Sequence, residues 1–147
     1  MRTQRRLGFT LVEVVISLAI LGLTVSAILF GYTFCSRQAE WGAYALTAQA
    51  DAEQRLAQVR VARWTTLTAS PIDELVSSNF PMQVSTRDYN AGRITTFSVT
   101  NFTTLTVIST NPPLKFVRVD AVWSFVPRGR AGQIFTNTLF TYRGPDE

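Results

Sequence analysis

Glu13 is an acidic residue at a place where membrane-spanning sequences normally carry no charge. It lies near the start of an apolar run that has no other charged residue from Leu7 to Ser36, and three arginines precede it at positions 2, 5 and 6. A charged side chain at the bilayer centre costs about 2.5–3.5 kcal/mol on insertion scales, so an intramembrane acid usually has a function and a partner. The sequence therefore predicts that the Glu13 carboxylate meets a positive group.

Other catalytic or metal-binding chemistry has little support in the sequence. The chain of 147 residues has no histidine and one cysteine, Cys35, so the commonest general base and an intrachain disulfide are both excluded. It has no glycine-rich phosphate loop, and the adjacent acids Asp73-Glu74 and Asp146-Glu147 lack the spacing of a calcium loop. We predict that the chain is not an enzyme and that it has no cofactor and no metal site.

The apolar run is long enough to cross a membrane. From Phe9 to Phe34 a helix would measure about 39 Å, against a hydrocarbon core of about 30 Å. A secretory signal peptide is one alternative, but its apolar core is usually only about 7–15 residues long. A simple signal anchor is another, and it gives no reason for Glu13. The arginines before the run favour a cytoplasmic N-terminus, and without them 11 basic residues face 10 acids.

The segment from Arg5 to Glu13, with the sequence RRLGFTLVE, closely resembles the N-terminal signature of type IV pilins and pseudopilins. That signature is a short basic leader ending in glycine, then Phe-Thr-Leu, an aliphatic residue and Glu, then a long apolar helix. Gly22 also matches a glycine that is common in the family, and glycine allows close approach of helices.

The resemblance implies a processing pathway. A membrane prepilin peptidase would cleave after Gly8, and the new N-terminus, Phe9, would be N-methylated. Cleavage creates an ammonium on Phe9, and in a bundle of such helices Glu13 of one subunit can meet Phe9 of a neighbour. A paired buried carboxylate is tolerable, whereas an unpaired one is strongly unfavourable, so the pair would fix the register between subunits.

One departure from the family pattern concerns whether the subunit is a major or a minor pilin. Many major pilins have a proline later in this helix, where this chain has Phe30, and the first proline here is Pro71. The absence favours a minor pilin or a pseudopilin.

The rest of the chain predicts an α+β fold, with one long helix packed on an antiparallel sheet of about four to five strands. We predict a leader at 1–8, a membrane helix at 9–36 and a headpiece at 37–147. An amphipathic helix is predicted at 37–64, with an apolar stripe of Trp41, Tyr44 or Ala45, Ala48, Ala52, Leu56 and Val59. Asp51 and Arg55 could pair on it at i,i+4.

A loop at 65–81 and a sheet at 82–143 are predicted to follow. Ser70-Pro71 suggests the start of a short helix within the loop, with Asp73 and Glu74 in its first turn. The predicted strands are Gln83–Arg87, Arg93–Thr100, Thr104–Ser109, Leu114–Val126 and Gln133–Arg143. In the fourth of these strands, apolar residues at 117, 119, 121, 123 and 125 alternate with mostly polar ones, which predicts one buried face.

Basic residues with interleaved aromatic residues raise nucleic acid as a possible ligand. Arg118, Arg128 and Arg130 lie around the last predicted hairpin, and aromatic and basic side chains together can bind single strands. A solvated hairpin end or a contact with another subunit explains the same residues, and we expect no nucleic-acid partner.

The predicted protein is a structural subunit of a type IV pilus or a type II secretion pseudopilus. Its expected partners are the prepilin peptidase, other pilin or pseudopilin subunits, the inner-membrane assembly platform and the lipid bilayer. The expected location is the bacterial inner membrane, with a periplasmic headpiece, and then the filament. The alternative is a permanently anchored single-pass protein whose periplasmic domain binds a ligand or partner.

Overall fold

A computed structural model describes residues 9–66, 68–88, 96–126 and 131–146. The chain divides into two compact units, residues 1–40 and 41–147. The predicted leader at 1–8 lies outside the described residues, as do residues 89–95 and 127–130 between predicted strands.

One long helix, α1, extends from Leu11 to Val61. In the second unit it buries Ala48, Ala52, Leu56 and Val59, so the predicted apolar stripe is confirmed there. Tyr44 is buried and the alternative Ala45 packs against the core from a partly buried position. The helix ends before the predicted Trp64, because Trp64 belongs to a short strand instead.

Four strands form the main sheet, and the antiparallel α+β prediction is confirmed. The strands of the headpiece are β1 Trp64–Thr65, β2 Ile72–Asp73, β3 Gln83–Asp88, β4 Thr96–Thr110, β5 Pro113–Phe125 and β6 Gln133–Arg143. The main sheet has the spatial order β3, β4, β5 and β6, and a separate two-stranded sheet pairs β1 with β2.

The prediction of two strands, at Arg93–Thr100 and Thr104–Ser109, was wrong, since β4 is one strand from Thr96 to Thr110. Residues 93–95 lie outside the described residues. Asn101 lies between the two predicted strands. It is buried on the inner face and pairs in register with Gln83 and Ala121, so the strand continues through it. The only register shift in this pairing falls between Val107 and Ser109.

The prediction of a short helix starting at Ser70-Pro71 was also wrong. Ile72–Asp73 forms β2, and a single 3-10 turn follows at Ser77–Asn79. The acids expected to complement a helix dipole have other hydrogen-bond partners. Glu74 accepts a bond from the Arg63 N–H at 2.8 Å, and Asp73 accepts one from the Leu75 N–H at 3.0 Å.

The core of the headpiece lies between α1 and the inner face of the main sheet. Along β5 the predicted alternation is confirmed: the apolar residues at 117, 119, 121, 123 and 125 are buried. Trp123 is central to this core, because its ring contacts those of Trp41, Phe97 and Phe135 at centroid distances between 4.8 and 6.1 Å. Aromatic pairs at such distances contribute beyond the area they bury.

Two polar residues of α1 are buried against the sheet, but not as the predicted pair. Asp51 makes its ion pair with Arg87 of β3, at 2.7 Å, and not with Arg55. Arg55 donates to Thr103 at 3.1 Å and to the Pro81 carbonyl at 2.6 Å. Burial lowers the pKa of Arg55, because the interior disfavours its charged form.

A buried lysine fixes the loop between α1 and β3. Lys115 donates to the Asp73 carboxylate at 2.5 Å and to the Leu75 carbonyl at 2.8 Å. Its ammonium also lies 4.7 Å from the centre of the Trp64 ring, within the range of a cation–π interaction. Lys115 of β5 therefore contacts three residues of the segment between α1 and β3, namely Trp64, Asp73 and Leu75.

The C-terminal tail, residues Arg143–Asp146, makes hydrogen bonds to the end of α1 and to β1. Arg143 donates to the carbonyl of Arg60, in the last turn of α1, and to the carbonyl of Ala62, just after the helix. Carbonyls in the last turn of a helix have no partner within the helix itself. Arg143 also pairs with Asp146 at 2.7 Å, and Asp146 in turn accepts a bond from the Trp64 N–H at 2.9 Å. These bonds connect the tail to the helix end and to β1.

Candidate functional site

The Glu13 carboxylate is held by the first turn of α1. Its Oε2 accepts hydrogen bonds from the Thr10 N–H at 2.8 Å and from the Thr10 hydroxyl at 2.9 Å. The Glu13 N–H donates back to the Thr10 hydroxyl oxygen at 3.3 Å. This reciprocal arrangement is a capping box, in which a residue at the N-cap and an acid three positions later satisfy two free backbone donors.

Sequence reasoning missed this role of Thr10. The signal was present as Thr-Leu-Val-Glu immediately before an apolar run, which matches the Ser/Thr-x-x-Glu pattern of a capping box. The box explains why the helix starts at Leu11. It also places an acid in the first turn, where the helix dipole favours negative charge.

The first unit presents an apolar surface around this carboxylate. Phe9 is 87% exposed, and the large apolar side chains from Leu11 to Phe34 are exposed as well. Among the described residues, α1 is the one helix that is long and apolar enough to cross a membrane. Exposure of so much apolar surface is typical of a membrane or interaction segment.

Hydroxyl side chains along this segment are satisfied by the helix itself. Ser17, Thr24, Ser26 and Thr33 each donate to a backbone carbonyl three or four residues earlier, at 2.7 to 2.9 Å. Such bonds remove the cost of placing a hydroxyl in lipid. Glu13 is therefore the one charged side chain between Phe9 and Phe34, a segment in which every Ser and Thr hydroxyl has an acceptor.

The other residues predicted for this site are less defined. Gly8 lies outside the described residues, so the structure does not describe the predicted cleavage site. A Cβ atom added at Gly22 would meet no atom within 4 Å, so nothing in this single chain requires glycine there. Its predicted role in close helix approach concerns a neighbouring subunit.

The residues considered for nucleic acid do not form a described site. Arg118 pairs with Asp120 at 2.9 Å on the outer face of the sheet, and Asp120 also accepts a bond from Thr138 at 2.6 Å. Arg128 and Arg130 lie outside the described residues. In the described part of the chain, no cluster of three His, Cys, Asp or Glu residues could hold a metal ion.

Comparison with known proteins gives one match. Residues 3–29 match the family model of the prokaryotic N-terminal methylation motif, a stretch that includes Gly8, Phe9, Glu13 and Gly22. No curated protein and no solved structure shows a significant match to the chain. The matched motif lies on the leader and the apolar first part of α1, and it supports a protein of the type IV pilin or pseudopilin type.

Proposed function

We propose that this chain is a minor pilin or pseudopilin that is cleaved after Gly8, N-methylated on Phe9 and assembled into a filament through α1. The observation that carries the proposal is a lone carboxylate, Glu13, in the first turn of an exposed apolar helix and within the matched methylation motif. The protein's work is assembly, and no step of it needs catalysis by the chain.

The bilayer stores the subunit before assembly. The apolar side chains of α1 up to Phe34 are exposed in the single chain, and they lose contact with water either in lipid or against other helices. Transfer from the membrane into a bundle of α1 helices therefore exchanges one apolar environment for another. An inner-membrane assembly platform would drive that transfer.

Glu13 guides the docking of a new subunit. Both hydrogen bonds from Thr10 are accepted by Oε2, so Oε1 takes part in neither of them. Cleavage after Gly8 would give each neighbouring subunit an ammonium on Phe9, which could pair with this carboxylate. Because an ion pair in an apolar bundle is favourable only when both charges are present, it forms at one axial offset and fixes the register.

The absence of a proline from α1 supports the assignment as a minor pilin or pseudopilin. Phe30 occupies the position where many major pilins have proline, and α1 continues through it without a break. A proline inside a helix removes a backbone bond and loosens the helix. A subunit without that loosening suits a minor or pseudopilus position.

Substitution of Glu13 tests the proposal in the native cells. The Glu13→Ala chain should still enter the membrane and be cleaved, but its amount in sheared filaments, relative to the membrane fraction, should fall at least tenfold. Glu53→Ala is a matched control, because Glu53 is an exposed acid on the headpiece part of the same helix, and it should leave incorporation unchanged. Incorporation of Glu13→Ala at the wild-type level would contradict the proposed role.

A further inference from the structure

The headpiece contains a small polar cavity between α1 and the edge of the main sheet. Its volume is about 20 Å³. A site of this size has room for one water molecule, provided that two or more polar groups can bond it. It is lined by three residues of the helix and three of strands β3 and β4: Asp51, Gln54, Arg55, Gln83, Ser85 and Asn101.

Two of the lining residues have buried acceptor oxygens without a donor. The Asp51 side chain is 4% exposed and Asn101 is 2% exposed. Asp51 Oδ2 and Asn101 Oδ1 have no hydrogen-bond partner among the described residues. Burial of an acceptor without a donor is destabilising, so a molecule that donates hydrogen bonds to both oxygens would stabilise the fold.

We propose that this cavity is a binding site for a single water molecule that donates one hydrogen bond to Asp51 Oδ2 and one to Asn101 Oδ1. Water is the smallest ligand with two donors, and the site presents two acceptors that need one each. The bound water completes the polar contact between α1 and the β3–β4 edge, where Arg87 already bonds the other Asp51 oxygen at 2.7 Å.

The charges around the cavity favour water over a cation. The lining has one carboxylate, and Arg87 already pairs with it. Arg55 lies in the wall and adds a second positive charge. A metal ion would therefore meet two guanidinium groups for one carboxylate, whereas hard cations such as Ca²⁺ are usually bound by several uncompensated oxygen ligands.

A crystal structure of the full chain in detergent, at a resolution that shows ordered water, tests the site directly. We expect one water within about 2.7–3.2 Å of both oxygens. An empty cavity would contradict the proposal. So would an Asn101 side chain whose amide nitrogen donates to Asp51 Oδ2, because the pair would then need no ligand.

Two further measurements separate water from the alternatives. In crystals of the Asn101→Leu chain the water should be lost, while in the control Thr104→Val, on the opposite face of β4, it should remain. The thermal unfolding midpoint of the wild-type chain should be equal in sodium, calcium and choline chloride at matched ionic strength. A rise of several degrees specific to sodium or calcium would show a cation site instead. If Asn101→Leu fails to fold, the wild-type crystals and the salt comparison still decide.

Discussion

Thr10 donates two hydrogen bonds to the same oxygen of Glu13, one from its N–H at 2.8 Å and one from its hydroxyl at 2.9 Å. The carboxylate is therefore oriented by its own helix. In the proposed assembly this orientation would favour the ion pair with a neighbouring subunit, because a side chain already held in one position loses less conformational freedom when it forms an ion pair. The proposal therefore makes Thr10 a positioning residue that acts through Glu13.

The first prediction concerns this hydroxyl. Thr10→Val keeps the shape of the side chain but removes the cap, and loss of a cap costs about 1 kcal/mol, or roughly fivefold in an equilibrium. We expect incorporation into filaments to fall severalfold, less than for Glu13→Gln, which removes the charge itself. Immunoblots of sheared filaments against membranes measure the effect. Thr10→Ser should assemble normally, and normal assembly of Thr10→Val would show that the cap does not position Glu13.

A second prediction concerns the ion pair between Asp51 and Arg87. The Arg87 side chain is 54% exposed, but the Asp51 side chain is buried, so removal of Arg87 leaves a buried carboxylate without its ion-pair partner. Arg87→Met should therefore lower the free energy of unfolding by about 2 kcal/mol or more. Urea unfolding of the full chain in detergent, followed by tryptophan fluorescence, measures the change.

The neutral partner variant is the control for that result. In the double variant Arg87→Met with Asp51→Asn, the buried group carries no charge, so most of the lost stability should return. A double variant that is less stable than Arg87→Met alone would contradict the assignment of the cost to an unpaired carboxylate.

A third prediction concerns Lys115, whose side chain is only 9% exposed. Lys115→Met keeps much of the apolar stem but leaves the Leu75 carbonyl without this donor, at a cost of about 1–3 kcal/mol. Urea unfolding should show the loss. Lys115→Arg keeps the charge and should recover part of it. Equal stability of Lys115→Met and the wild type would mean that the lysine does not hold the loop.

The fourth prediction concerns the C-terminal tail. Arg143→Met removes the donors to the carbonyls of Arg60 and Ala62, and we expect a loss of about 1–3 kcal/mol. Asp146→Asn should cost under about 1 kcal/mol, because the Asp146 side chain is 46% exposed and exposed ion pairs contribute little. Hydrogen exchange at the end of α1 should be faster in Arg143→Met. Equal exchange in the two variants would contradict the assignment.

A fifth prediction concerns nucleic acid. Because Asp120 pairs with Arg118, the described outer face has little uncompensated positive charge. The full chain in detergent should not bind a labelled single-stranded DNA at low salt in a fluorescence anisotropy titration. Tight binding with a steep salt dependence would show that a basic surface outside the described residues is sufficient.

The parts of the fold that follow from local pattern could be predicted from the sequence. The α1 stripe could be read because Ala48, Ala52 and Val59 recur at helical spacing, and the inner face of β5 because its apolar residues alternate with period two. The methylation motif was equally readable, since its chemistry depends on consecutive residues.

The errors share a physical cause, which is contact between residues distant in sequence. The residues around Asp73 predicted the start of a helix, but Asp73 lies in β2 and pairs with Lys115 of β5. The two strands predicted on either side of Asn101 are one strand, because Asn101 pairs with Gln83 and Ala121 of the neighbouring strands. Asp51 likewise pairs with Arg87, which is distant in sequence, and not with Arg55, which is only four residues away in the chain.

The mature N-terminus is the most direct test of the central claim. Intact-mass and fragment mass spectrometry of the chain purified from its native membrane should show a protein that begins at Phe9 and carries one methyl group on its α-nitrogen. A chain that still begins at Met1 would contradict the filament account and favour a permanently anchored protein.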